Sequence, residues 1–308
     1  MTTPAALIDN PVPYTPRPFG LLSVAALPAL TERIQAGVSY QPDPCTEVQV
    51  SRDGCADDDL YDGIDPGAGV WGSDAGLDLG VTDCTWVTSS PFTVHGALAV
   101  PAFGGDPLAR AERVLVNGEA HAVEEVFATG TSGSGMAGLV GVTPRLQAGA
   151  DVFVVNSVLA DAVLTIAGGI GMLEQSVGGT AYSGQLVLHL TAVQAVLAAN
   201  AGLLVQSGTQ LRTLTGSLVV VSGAYNGADP DGVVEVDGTS WVYATGSVAV
   251  LRSEVYPSTE DPSAQRNRST NGLQAVVSRD YAIAIDGCAG VSAAHVGGYQ
   301  ADFLVEAP

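Results

Sequence analysis

One stretch of the chain carries apolar residues at three- and four-residue steps: Leu108, Ala111, Leu115, Ala122 and Val126, with a step of seven from Leu115 to Ala122. Val123 and Phe127 widen that stripe, which places it on one face of a helix. Asp106 is a good N-cap, Pro107 suits the first helical position and Gly130 is a natural stop. The pattern predicts one long amphipathic helix over about 106–129, weakened locally by Gly118.

The rest of the chain reads in blocks on either side of that helix. Residues 1–30 are Pro-rich and predict an extended arm, because proline disfavours both helix and central strand. The arm's Leu21, Leu22, Val24, Leu27 and Leu30 need burial, which an arm lying across a neighbouring molecule would supply. From Val38 to Val100 the text is polar, acidic and Gly-rich, entered at Gly37–Tyr40 and left through Phe92–Val100. So long a stretch does not suit a loop inside a compact body, and a projecting hairpin-like extension resolves the difficulty. Beyond the helix, 164–176 predicts a helix despite Gly168, Gly169 and Gly171. Leu186–Leu190 predicts a buried strand, 192–201 a helix and Leu218–Val221 another strand, followed by a turn at Asn226–Gly227. Two long strands are expected over 241–255 and 273–285, joined by a polar loop. No internal repeat is visible.

Composition sharpens this outline. Only 14% of the 308 residues are charged, so much of the surface is neutral or buried against partners. A subunit that buries long edges against copies of itself fits that scarcity. The net charge is −21, and all 11 basic residues are arginine; there is no lysine. Such a chain repels nucleic acid at long range and makes a poor sequence reader, although an acidic wall can contain DNA without gripping it. Met1–Asn10 shows no signal peptide, and no apolar run approaches the ~20 residues of a membrane span. A soluble protein made inside the cell is expected.

Little in the sequence points to catalysis or a cofactor. Cys45, Cys55, Cys84 and Cys288 are widely and irregularly spaced, which argues against structural zinc and favours reduced thiols. Asp57, Asp58, Asp59, Asp62 and Asp65 could offer oxygen ligands to calcium, but they lack the alternating order and terminal Glu of an EF-hand loop. Asn226, Asp229 and Asp231 fit turn chemistry. His95, His121, His189 and His295 are far apart, and His189 lies in an apolar strand as a core residue rather than a base. No nucleophile elbow follows a strand, and the Gly130–Gly135 run lacks the lysine of a phosphate loop. The expectation is no catalytic residue, no metal and no cofactor.

Several segments, taken in order, resemble a known family. The helix segment from Arg110 to Gly130, with Gly118-Glu-Ala-His-Ala-Val-Glu124 leading to Thr129-Gly130, is similar to the spine helix of actinobacterial tailed-phage capsid proteins. Leu211–Thr213, Gly216-Ser217, Val220–Tyr225, Trp241–Gly246, Leu251–Val255, Arg268–Asn271, Arg279–Tyr281 and Asp286–Cys288 follow the same family's order. The resemblance covers roughly 90–288, and it is the colinear set that carries it.

The resemblance implies an α+β chain with the Hong Kong 97 capsid fold. Its parts would be an N-terminal arm (1–37), an extended loop with flanking strands (38–100) and a peripheral domain with the spine helix (101–150). An axial domain (151–240) and returning long strands of the peripheral domain (241–288) would complete it. This chain departs from the family by continuing past the usual end near Cys288, and its C-terminal tail (289–308) is expected to pack on a subunit surface, its own or a neighbour's. The implied function is a major capsid protein, not an enzyme. It would self-assemble into pentamers and hexamers of an icosahedral virion shell that encloses double-stranded DNA without specific binding. Assembly would take place in the bacterial cytoplasm, away from any membrane. A scaffolding, cementing or portal protein would be a further partner, and no scaffolding domain is expected to be fused to the arm. The founder's lysine–asparagine cross-link is excluded, because this chain has no lysine. An encapsulin-type nanocompartment shell and a tail or decoration protein remain as alternatives. Arg110, Arg113, Arg266 and Arg268 are the candidate assembly contacts, since guanidinium groups bind carboxylates bidentately and this chain is rich in carboxylates.

Overall fold

A computed structural model describes residues 18–28, 38–40, 87–101, 106–131, 144–159, 162–178, 184–235, 238–257, 266–267, 272–286 and 290–297. The first half of the chain contributes a helical turn α1 (Leu21–Val24), strands β1 (Val38–Tyr40), β2 (Val87–Ser89) and β3 (Phe92–Pro101), and the long helix α2 (Pro107–Thr129). Next come β4 (Val152–Val154), β5 (Leu164–Thr165), helix α3 (Ile166–Gly178), β6 (Val187–Thr191) and helix α4 (Ala192–Asn200). Then follow β7 (Leu204–Ser207), β8 (Gln210–Thr213), β9 (Leu218–Ser222), β10 (Thr239–Thr245) and β11 (Val248–Arg252). The series ends with β12 (Tyr256–Pro257), β13 (Arg266–Asn267), β14 (Gly272–Ile285) and β15 (Val291–Gly297).

Helix α2 forms where the periodicity places it. Asp106 accepts hydrogen bonds from the amides of Leu108 and Ala109, and Gly130 closes the helix at φ 72°, a left-handed conformation that costs glycine little. The helix lies on a five-stranded sheet built around the 14-residue β14, which pairs antiparallel with β3 along ten residues. Gly96 lets the two layers meet: a Cβ there would sit 2.6 Å from the Ala111 carbonyl oxygen and 2.7 Å from Leu115 Cβ.

The larger, eight-stranded sheet runs β4-β15-β10-β6-β9-β8-β7, with β5 also pairing β15. Helices α3 and α4 cover one face, where Ile170, Leu173 and Ala198 pack with Leu188, Leu190, Val219 and Val242. The other face offers Val187, Val220, Tyr243 and Val291 to α2's Val123, Val126 and Phe127 and to the smaller sheet's Tyr281 and Ile283. Both faces of β6 are therefore buried, which explains why Val187–Leu190 are buried at every position and apolar at all but His189. Gly169 on α3 packs directly against the side chain of Val296, so this one glycine admits a close approach of the helix to β15.

Three expectations are corrected. The strand expected over 241–255 is two strands in two sheets: β10 lies in the larger and β11 in the smaller, with the chain crossing between them at Gly246–Ser247. Residues 291–297, expected as a surface tail, form β15 in the interior of the larger sheet, between β10 and β4, with Val291–Ala294 and Val296 buried. The third concerns the arm. Residues 19–27 pack on their own chain: Leu21 is fully buried in the inter-sheet cluster, against which Leu22, Val24 and Leu27 also rest. Leu30 lies outside the described residues. The expected extension is described only at its base, where β1 and β2 pair antiparallel and the Tyr40 hydroxyl donates to the Ile285 carbonyl.

Candidate functional site

A buried carboxylate of α2 occupies a place where the stripe calls for an apolar residue. Buried positions recur at Ala111, Leu115, Glu119 and Val123, so Glu119 faces the smaller sheet. Its Oε2 accepts from Arg279 Nη1 at 2.6 Å and from the Tyr281 hydroxyl at 2.6 Å, while Arg252 Nη1 stands 4.0 Å from Oε1. Arg279 and Tyr281 alternate along β14 onto the face that α2 covers, and Arg252 comes from β11 opposite Tyr281. Burial pulls the Arg279 guanidinium down, but Glu119 and Tyr281 outweigh it and leave it raised. Burial, then the hydrogen bond to Glu119, raises the Tyr281 hydroxyl, which stays a donor. The stripe expected from the sequence passed over Glu119. The signal was a carboxylate four residues after Leu115 and four before Val123.

A second buried carboxylate, Glu124, lies on the side of α2 that meets the larger sheet. Its Oε2 accepts from the Ser222 hydroxyl at 2.5 Å and its Oε1 from the Leu21 amide at 2.7 Å. One side chain thus ties helix, larger sheet and N-terminal segment.

Inside the larger sheet the polar groups are neutral. His189 bonds the Tyr225 hydroxyl at 3.2 Å and the Thr245 hydroxyl at 2.9 Å, and burial pushes its imidazole down to about 3. It is a neutral core residue, as expected. Gln194 is fully buried; it donates to Ser240 Oγ and to the Trp241 carbonyl, and it completes a capping box with Thr191.

Helix α3 and the β8–β9 turn border an open cleft of about 620 Å³ lined by Glu174, Gln175, Gln185 and Gly216. The Glu174 carboxylate there is engaged by the hydroxyls of Thr213 and Thr215.

The candidate arginines fall in two places. Arg110 and Arg113 are half-buried on the first half of α2, and both engage other groups. Arg266 lies in β13 opposite Leu273, at the end of the sheet from which α2 starts; Arg268 lies outside the described residues. All four cysteines and the Asp57–Asp65 cluster also lie outside them. Asn226 and Asp229 serve turns: Asn226 Oδ1 accepts from the Ala228 amide and Asp229 Oδ1 from the Val233 amide. His95 bonds Ser278 at 2.7 Å, but Ser278 is buried and Asp280 is engaged by Thr93 and Tyr256, which is packing rather than a nucleophile relay. Among the described residues no helix is long and apolar enough to cross a membrane.

No family model and no curated protein sequence matches this chain. Solved structures do. A chain of the Gordonia phage Cozz structure overlays with a TM-score of 0.52 at 9% identity, covering 95% of this chain and 92% of that one. The capsid of a native GTA particle gives 0.53 at 8% identity, covering 96% of each chain. A chain of the Mycobacterium phage Ogopogo structure gives 0.50 at 12% identity, covering 96% and 97%. The helix on a long-stranded sheet, the β1–β2 pair and the mixed sheet beyond them together make the fold of phage capsid proteins.

Proposed function

We propose that this chain is the major capsid protein of a tailed phage, with the Hong Kong 97 architecture, and that it acts as a structural subunit rather than an enzyme. In this reading α2 is the spine helix of a peripheral domain built on the smaller sheet. The larger sheet with α3 and α4 is the axial domain, into which β10 and β15 also enter. Copies close into pentamers and hexamers around double-stranded DNA, which the acidic wall contains without specific contacts. Assembly takes place in the host cytoplasm and the product is the virion shell. A scaffolding, cementing or portal protein is a further partner.

One observation carries the reading: the likeness to the GTA capsid chain runs through 96% of both chains rather than through one shared motif. Arg110, Arg113, Arg266 and Arg268 are assigned to carboxylates of neighbouring copies. Without lysine, the shell is held by non-covalent contacts.

Negative-stain microscopy of the expressed full-length chain tests the proposal. Closed particles are expected, whose subunits run as single chains after boiling in detergent. Tubes or trimers would favour a tail or decoration protein, and particles that hold protein cargo instead of DNA would favour a nanocompartment. A compact monomer under all conditions would overturn the reading.

A further inference from the structure

Two of the chain crossings between the sheets start side by side. One is Gly246–Ser247 between β10 and β11, and the other leaves the smaller sheet at Asp286, after β14, and reaches the larger one at Gly290, before β15. The Asp286 amide donates to the Ser247 carbonyl at 2.9 Å and ties the two together. Paired crossings at one place make a hinge line, about which the two layers can rock as far as their shared apolar cluster and any segment bonded to both layers across the seam allow.

Residues 19–26 span it. At one end the Val221 amide of the larger sheet donates to the Phe19 carbonyl at 2.8 Å. In the middle the Leu21 amide donates to Glu124 on α2, and the Leu21 side chain fills the apolar cluster to which both sheets contribute. At the other end the Ala26 amide donates to the Val248 carbonyl at 3.0 Å and the Val250 amide to the Ala26 carbonyl at 2.8 Å, both in the smaller sheet. Eight residues therefore hold both layers and the helix between them. Ala26 remains exposed and α1 is a single turn, so the segment is held by these bonds, by Leu21 and by the partly buried Leu22, Val24 and Leu27.

We propose that residues 19–26 are a clasp that fixes the angle between the two sheets, with Glu124 as its anchor and Leu21 as its plug. Opening the clasp frees the hinge, and the subunit can then take more than one curvature. In the shell reading, on which this consequence rests, the clasp selects a single particle size.

Gly20 offers a way to open the clasp without touching the core. A Cβ there would lie 2.6 Å from Glu124 Oε1, the atom that holds the Leu21 amide. Gly20→Ala must therefore displace the carboxylate. Four amides, those of Leu21, Ala26, Val221 and Val250, report the state of the clasp through hydrogen exchange. In the full-length chain Gly20→Ala should speed their exchange roughly tenfold or more, the scale set by losing a buried hydrogen bond. Amides in β10 and β14 should keep their protection. In a Glu124→Ala background, where the clasp is already open, adding Gly20→Ala should change nothing further.

Microscopy of the same Gly20→Ala preparation should show a broadened spread of particle diameters. Unchanged exchange at the four amides would overturn the clasp itself. Faster exchange with one unaltered diameter would overturn its role in setting curvature. If the unmutated chain forms no closed particles, the shell reading fails. The exchange result then still decides the clasp, and small-angle scattering decides the angle: Gly20→Ala should broaden the distance distribution, and an identical curve would overturn it.

Discussion

The two sheets bury polar groups in opposite ways. Under α2 the smaller sheet holds a charged cluster, with Glu119 between Arg279, Tyr281 and Arg252. The larger sheet holds neutral ones: His189 between two hydroxyls, and Gln194 between Ser240 and a carbonyl. From Gln175 to Ala228 the only formally charged residue is Arg212, whose hydrogen bonds go to Gln185, Gln210 and the Gly216 carbonyl. A buried ion pair stabilises weakly as a whole, because desolvation offsets its attraction, but losing one partner leaves a stranded charge. A neutral hydrogen bond has less at stake. The joint between helix and smaller sheet is therefore specific and brittle, whereas the larger sheet is tolerant of single polar losses.

The largest expected effect breaks the charged side. Glu119→Ala strands Arg279 and should cost about 3 kcal/mol, at the lower end for buried pairs because Arg279 keeps some solvent access. Denaturant unfolding of the unassembled subunit would show it, and a loss below about 1 kcal/mol would remove the distinction between the sheets. On the neutral side, Gln194→Ala should cost about 2 kcal/mol, as the partners of a buried amide go unsatisfied.

Acid sharpens the comparison further. The folded His189 titrates at about 3, below its ordinary value, so between that value and about 6.5 the unfolded chain takes up a proton the folded chain refuses. Its contribution to stability is fully present above about pH 6.5 and falls away with acid, with a slope approaching about 1.4 kcal/mol per pH unit. His189→Gln should flatten that part of the curve, and an unchanged slope would place the titration elsewhere. The smallest effect is at the start of α2. Asp106→Ala should cost about 1 kcal/mol, and it should leave the Glu119 cluster intact as judged by its additivity with Glu119→Ala.

Local signals determined much of this protein. The cap at Asp106, the stop at Gly130 and the three- and four-residue rhythm between them set α2, because caps and amphipathic periodicity act within a few turns of chain. The run Leu186–Leu190, apolar but for His189, marked a buried strand for a similar reason. The tertiary structure alone decided which sheet each strand joins. The text of 241–255 reads as one strand, and only the crossing at Gly246–Ser247 divides it between layers. Residues 291–297 look like a tail by position, yet they pair with β10 across seven residues. The N-terminal leucines announced a need for burial but not an address, since the segment's partners at Glu124, Val221 and Val248–Val250 lie 103 or more positions away. Glu119 was visible as a carboxylate within an apolar stripe, and its meaning waited on Arg279 and Tyr281, 160 and 162 residues later. Sequence periodicity specifies how a segment folds; contacts between distant segments specify what it folds against.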